Sequence, residues 1–164
     1  MFHRPGISAL CAGILAVALV SMQISARDAS IAVVVNAGNS IESISLVQLR
    51  NIFLGTQVFW KDGTQVVPIV RAPSARERDV LLRRILHMTD MQYQQYWRKM
   101  RQSHKGGREP IAVVSNGMQV ETVLKESAIA LVPVSDIPAG VKVLKVAGRL
   151  PGSAAYPLKT AAVR

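Results

Sequence analysis

The chain has 164 residues, with 20 Lys or Arg against 10 Asp or Glu and a single cysteine, Cys11. One cysteine excludes a disulfide framework and thiolate metal clusters, and the positive balance points to an anionic partner. His87 and His104 have no histidine or carboxylate at metal-ligand spacing, so neither a metal site nor a cofactor is expected.

Residues 1–26 read as a secretory signal peptide. His3 and Arg4 precede the apolar run Ile7–Val20, and Ile24-Ser25-Ala26 ends on a small residue suited to cleavage. An uncleaved anchor would need about 18–20 apolar residues, which this run reaches only if extended through Ser21 and Gln23. Cys11 lies inside the run behind Leu10, a poor position for lipidation. Removing 26 of the 164 residues leaves 138, the size of one domain. A periplasmic location follows from such a leader and disfavours nucleic acid as a partner. The stretch from Arg71 to Arg108 holds ten basic and three acidic residues, either an electropositive face or a set of solvated helix surfaces.

Ile31–Val35 is a continuous β-branched run and predicts a buried strand, followed by a polar loop, Asn36–Ser40, suited to line the mouth of a site. Ser45 and Gln48 form a capping box for a helix with Leu46, Leu49, Ile52 and Phe53 at helical spacing, and Gly55 supplies its stop. Gln57–Trp60 and Thr64–Val70 flank Lys61-Asp62-Gly63 as a hairpin, with Pro68 weakening the second strand or marking an edge. Ser74 and Glu77 read as a second capping box opening a basic amphipathic helix, Ala75–His87, with Val80, Leu81 and Ile85 inward and Leu82 and Leu86 as further candidates for that face. Thr89 and Gln92 open a third helix reaching about Met100, whose Tyr93 and Trp97 read as core in preference to a stacking platform. A polar loop, Ser103–Pro110, leads to a short strand at Ile111–Val114, a Ser115-Asn116-Gly117 turn and a helix to Glu126 with Val120, Val123 and Leu124 inward. Strands at Ala128–Val134 and Val141–Val146 complete residues 27–148 as one α/β domain with a mixed sheet flanked by helices. Residues 149–164, rich in Gly, Pro, Ser and Ala, form a tail expected to pack loosely.

Asn51-Ile52-Phe53-Leu54-Gly55, Trp60-Lys61-Asp62-Gly63, Pro68-Ile69-Val70-Arg71, Tyr96-Trp97, Gly107-Arg108-Glu109-Pro110 and Ala128–Pro133 together resemble the periplasmic phosphate-binding proteins of ABC transporters. The resemblance is to short, single-lobe members of that PBP-like superfamily and covers Ile31–Gly148, its specificity lying in the order and spacing of several weak motifs. It implies one lobe of a type II periplasmic-binding-protein-like fold and an oxyanion, phosphate first, as ligand. In the family this lobe supplies an arginine and a Ser-Gly-Thr turn at a helix start. Arg71 and Ser74 match the arginine and serine, while Ala75 and Arg76 stand where glycine and threonine would be, Arg76 offering a guanidinium in place of the lost hydroxyl. The same resemblance implies main-chain contacts near Asn116 and Gly117, which otherwise read as a plain turn.

The ligand-binding candidates are therefore Arg71, Ser74, Arg76, Asn116 and Gly117. A single lobe leaves one side of its ligand solvated, so binding is expected to be weak. The competing reading of Arg71–Glu77 is an ordinary capped helix start with arginines facing water. For the whole protein the alternative is a scaffold without a small ligand, its basic surface meeting an envelope protein or anionic lipid. No nucleophile has an activating neighbour and no acid–base pair stands out, so no enzyme activity is expected.

Overall fold

The strands form because apolar runs alternate two usable faces. Ile31, Val33 and Val35 point to one side of the sheet with Ile129, Leu131, Leu144 and Val146, while Ala32, Val34, Ala128, Ala130 and Val132 point to the other. Both sides are covered, which is why these strands read as continuous hydrophobic runs. The computed structural model describes residues 30–103, 107–125 and 127–160. The signal-peptide reading of residues 1–26, and His104, lie outside the described residues.

The elements are β1 (Ile31–Asn36), β2 (Ser43–Ile44), α1 (Leu46–Phe53), β3 (Val67–Arg71), α2 (Arg76–Val80, continuing as a π-helical turn over Leu81–Leu86), α3 (Asp90–Ser103), β4 (Ile111–Val113), α4 (Asn116–Lys125), β5 (Ala128–Pro133) and β6 (Val141–Val146). The six strands lie in the order β2-β6-β1-β5-β3-β4. β1 runs antiparallel to β5 and β6, pairing Ile31 with Pro133 and Val33 with Leu144. β3 is parallel to both β5 and β4. The result is the expected mixed sheet flanked by helices. One layer packs Leu49, Ile52 and Phe53 of α1, Leu81 and Ile85 of the π turn and Tyr93 and Trp97 of α3 on the sheet. The other side holds Val123 of α4 against small residues, Ala32, Ala128 and Ala130, which let the helix approach closely.

Two capping boxes form as the sequence implies. Ser45 Oγ accepts from Gln48 N at 3.1 Å while Gln48 Oε1 accepts from Ser45 N at 3.0 Å, and Thr89 and Gln92 exchange the equivalent bonds at 3.2 and 2.8 Å. Gly55 ends α1 at φ 71°, and a Cβ at Gly107 would lie 2.0 Å from its carbonyl oxygen. The hairpin around Lys61-Asp62-Gly63 is present, joined by the Phe59–Gln65 bridge and the Val66 N to Val58 O bond at 2.9 Å.

Four expectations are corrected. Pro68 lies on an interior strand, tolerated because the ladder with β4 begins only at Ile69. The helix after β3 widens into a π turn, which keeps Leu81, Leu82, Ile85 and Leu86 all buried, and Arg50 Nε donates to the Ile85 carbonyl at 2.8 Å. On α4 the inward face is Gln119 and Val123 while Leu124 is exposed, because Gln119 Nε2 donates to Leu131 O at 2.5 Å. Most consequentially, the stretch from Arg149 is not loose up to Thr160. Tyr156 and Leu158 are buried, Tyr156 Oη donates to Ile31 O at 2.9 Å, and Ile31 N donates to Leu158 O at 2.8 Å.

Candidate functional site

The carboxyl ends of β3, β4 and β5 lie on one edge of the sheet, because Val67 pairs with Ala128 and Arg71 with Val113 in parallel register. In open α/β sheets that edge is where ligands bind. Three loops meet there: Ala72–Ala75 after β3, Val114–Ser115 after β4 and Val134–Asp136 after β5. The polar loop opening with Asn36 is at the opposite end of the sheet. Asn36 Nδ2 donates there to Leu124 O at 2.8 Å, closing the end of α4, so this loop does not line the same edge.

Ser74 does not cap α2. Ala75 N donates to Ala72 O at 3.3 Å, closing a four-residue turn with Pro73 second and Ser74 third, and Ser74 takes φ 73°. This is the pattern of a type II turn, whose third position favours glycine. An N-cap residue needs extended backbone, which passes to Ala75 (φ −72°, ψ 141°), a residue with no side-chain oxygen. The Ser74–Glu77 capping box is therefore absent. Glu77 turns inward instead and pairs with Arg71 at 3.6 Å, the two side chains only 6% and 15% exposed. Arg71 Nε and Nη1 are enclosed and make no hydrogen bond.

The residue missed by sequence reading is Arg78. Its Nε donates to Asp90 Oδ1 at 2.7 Å, its Nη1 to Arg71 O at 3.2 Å, and its guanidinium lies 5.0 Å from the Tyr93 ring centroid. The signal that could have found it is its position on the buried stripe with Leu81, Leu82 and Ile85. Beside it opens a cleft of about 900 Å³ between the Pro73–Arg76 turn and the Met88–Asp90 loop. Ser74 and Arg76 line this cleft, and Arg71 does not. Two of the five predicted ligand residues are thus brought together, while Arg71 is held under α2 by Glu77. Arg76 is exposed and has no ion-pair partner among the described residues, whereas Asp79 pairs with Arg83 at 2.5 Å.

Asn116 and Gly117 do open α4, capped by Ser115, whose Oγ accepts from Met118 N at 3.2 Å. An acidic side chain sits against that start. Asn116 Nδ2 donates to Asp136 Oδ2 at 2.5 Å, and its own Oδ1 is buried without a partner. Any oxyanion there would face the Asp136 carboxylate, an unfavourable like-charge contact. Among the described residues no group of three His, Cys, Asp or Glu could hold a metal ion.

No protein-family profile matches the chain, and no curated protein matches it. Solved structures do. A protein from Clostridium perfringens, described as a phosphate ABC transporter substrate-binding protein with bound phosphate, superimposes with a TM-score of 0.60 at 19% identity, covering 74% of this chain and 46% of its own. The chain has the fold of one lobe of such receptors. An ABC-type phosphate transport receptor from Vibrio cholerae gives 0.60 at 18% identity over 74% of this chain and 48% of its own. PstS from Borrelia burgdorferi gives 0.61 at 18% identity over 80% and 54%. The chain therefore spans about half the length of the receptors it matches.

Proposed function

We propose that this protein is an exported, non-catalytic binding module for phosphate or a similar small oxyanion, working alongside phosphate ABC transport. The observation that carries the reading is the turn after β3. Ser74 and Arg76, the latter with no ion-pair partner among the described residues, face one cleft at the carboxyl edge of parallel strands, in a fold shared with receptors of which one holds phosphate. Arg76 makes the first contact, since it is exposed and engaged with no carboxylate among the described residues, and the Ser74 hydroxyl donates beside it. Arg71 joins only if its pair with Glu77 opens. Asn116 and Gly117 contribute least, because Asp136 already sits at their helix start.

With one side of the ion left in water, affinity is expected on the order of millimolar, about 4 kcal/mol. A thermal-shift titration with phosphate, sulfate and chloride at matched ionic strength tests the reading, because a ligand that binds only the folded state raises the melting temperature saturably. Phosphate is expected to give such a rise, and Arg76→Ala to abolish it. An equal response to all three salts, or none, would remove the reading.

A further inference from the structure

The geometry points to a phosphomonoester bearing a small apolar substituent, rather than the bare ion, as the ligand of the Ser74–Arg76 cleft. This deepens the oxyanion reading of the same site and rests on it. The first argument is size. A cleft of about 900 Å³ has room for an organic ligand, and a tetrahedral ion at Ser74 and Arg76 occupies only a small part of it. The second is the chemistry of the walls. Pro73, Leu82 and Met88 share the lining with the charged groups, and these side chains gain by being covered with carbon and gain nothing from a bare anion.

The third argument is charge. The cleft wall carries three arginines, Arg76, Arg78 and Arg83, and two aspartates, Asp79 and Asp90. Both aspartates are paired, Asp90 with Arg78 at 2.7 Å and Asp79 with Arg83 at 2.5 Å. Among the described residues one cation, Arg76, is left over beside Ser74. The site thus combines one uncompensated cation with apolar wall. That arrangement fits a ligand with a charged head and a short hydrocarbon body.

The test is isothermal titration of the protein with inorganic phosphate, methyl, ethyl and n-butyl phosphate, and 1-butanol. The expected result is affinity rising about twofold or more per added methylene, so that butyl phosphate binds at least about tenfold tighter than phosphate. Butanol alone is expected not to bind. Met88→Gln, at a half-buried position, should flatten the chain-length series when each ester is compared with phosphate on the same variant. Equal affinity for phosphate and butyl phosphate overturns the inference and leaves the oxyanion reading standing; heat from neither overturns both. Butanol binding as tightly as its ester also overturns it, since the head would then be irrelevant. A parallel arm with phosphatidylcholine vesicles, with and without phosphatidic acid, separates a lipid source from a soluble ester. Retention that needs phosphatidic acid and falls in Met88→Gln assigns the lipid, and retention indifferent to Met88→Gln without ester binding overturns the inference.

Discussion

Arg78 holds together three parts of the molecule that are not neighbours in sequence. Its fork reaches the end of β3 through the Arg71 carbonyl and the start of α3 through Asp90, and its flat face covers Tyr93. The side chain is 8% exposed against 36% for Asp90, so the pair is only half desolvated and less costly to break than a fully buried one. Arg78→Ala is expected to lower stability by about 2–3 kcal/mol, measured by urea denaturation, because a charged hydrogen-bond network and the packing of the stem are lost together. Arg78→Lys should recover little, since an ammonium cannot serve both acceptors in a fixed fork. A loss under about 0.5 kcal/mol for the alanine variant would mean the network is dispensable. Composition could not single this residue out. In a run of ten bases every arginine looks like a surface charge, and what separates them is helical spacing, which puts Arg78 on one face with Leu81 and Ile85 and leaves Arg76 off it.

Among the elements, those decided locally were legible in the sequence. The capping boxes at Ser45–Gln48 and Thr89–Gln92 need only residues three apart, and both form. The same pattern at Ser74–Glu77 fails because Pro73 favours a turn that puts Ser74 at positive φ, and because Glu77 finds Arg71. The candidate site was legible to the same extent: the loop after β3 and the exposure of Arg76 could be read, but the withdrawal of Arg71 depends on a tertiary ion pair. The tail shows the opposite error. Its Gly, Pro and Ser content suggests looseness, yet Tyr156 and Leu158 supply two buried anchors to the edge where β1 begins. Leu158→Ala is therefore expected to cost about 2–4 kcal/mol in a urea titration, the range for emptying a core position. A loosely packed tail would give a change within about 0.5 kcal/mol, as surface substitutions do.

For the whole molecule, alkaline pH sets two effects against each other. The formal net charge of +10 falls as lysines titrate, which relieves self-repulsion, while buried phenols must ionise without solvent. Burial pushes the Tyr93 hydroxyl up to about 12 from its ordinary 10, and burial likewise raises that of Tyr156. Above pH 10 the unfolded chain loses the Tyr93 proton first, so it binds fewer protons than the folded chain and stability falls with pH. The contribution is fully present below pH 10 and is lost as pH rises through about 12, two units or roughly 3 kcal/mol in all. Tyr93→Phe isolates this effect best, because the Tyr93 hydroxyl makes no regular hydrogen bond, only a weak polar contact to Trp97 is lost, and the ring beside Trp97 is retained. Tyr156→Phe would be less clean, since it also removes the bond to Ile31. Charge relief is common to wild type and variant and cancels in the difference. Urea titrations are expected to place the two within about 0.5 kcal/mol at pH 7, with the variant more stable by about 1–2 kcal/mol at pH 11. An unchanged difference between the two pH values would mean that Tyr93 ionises as easily in the folded protein as in the unfolded chain, and that the α3 core admits water.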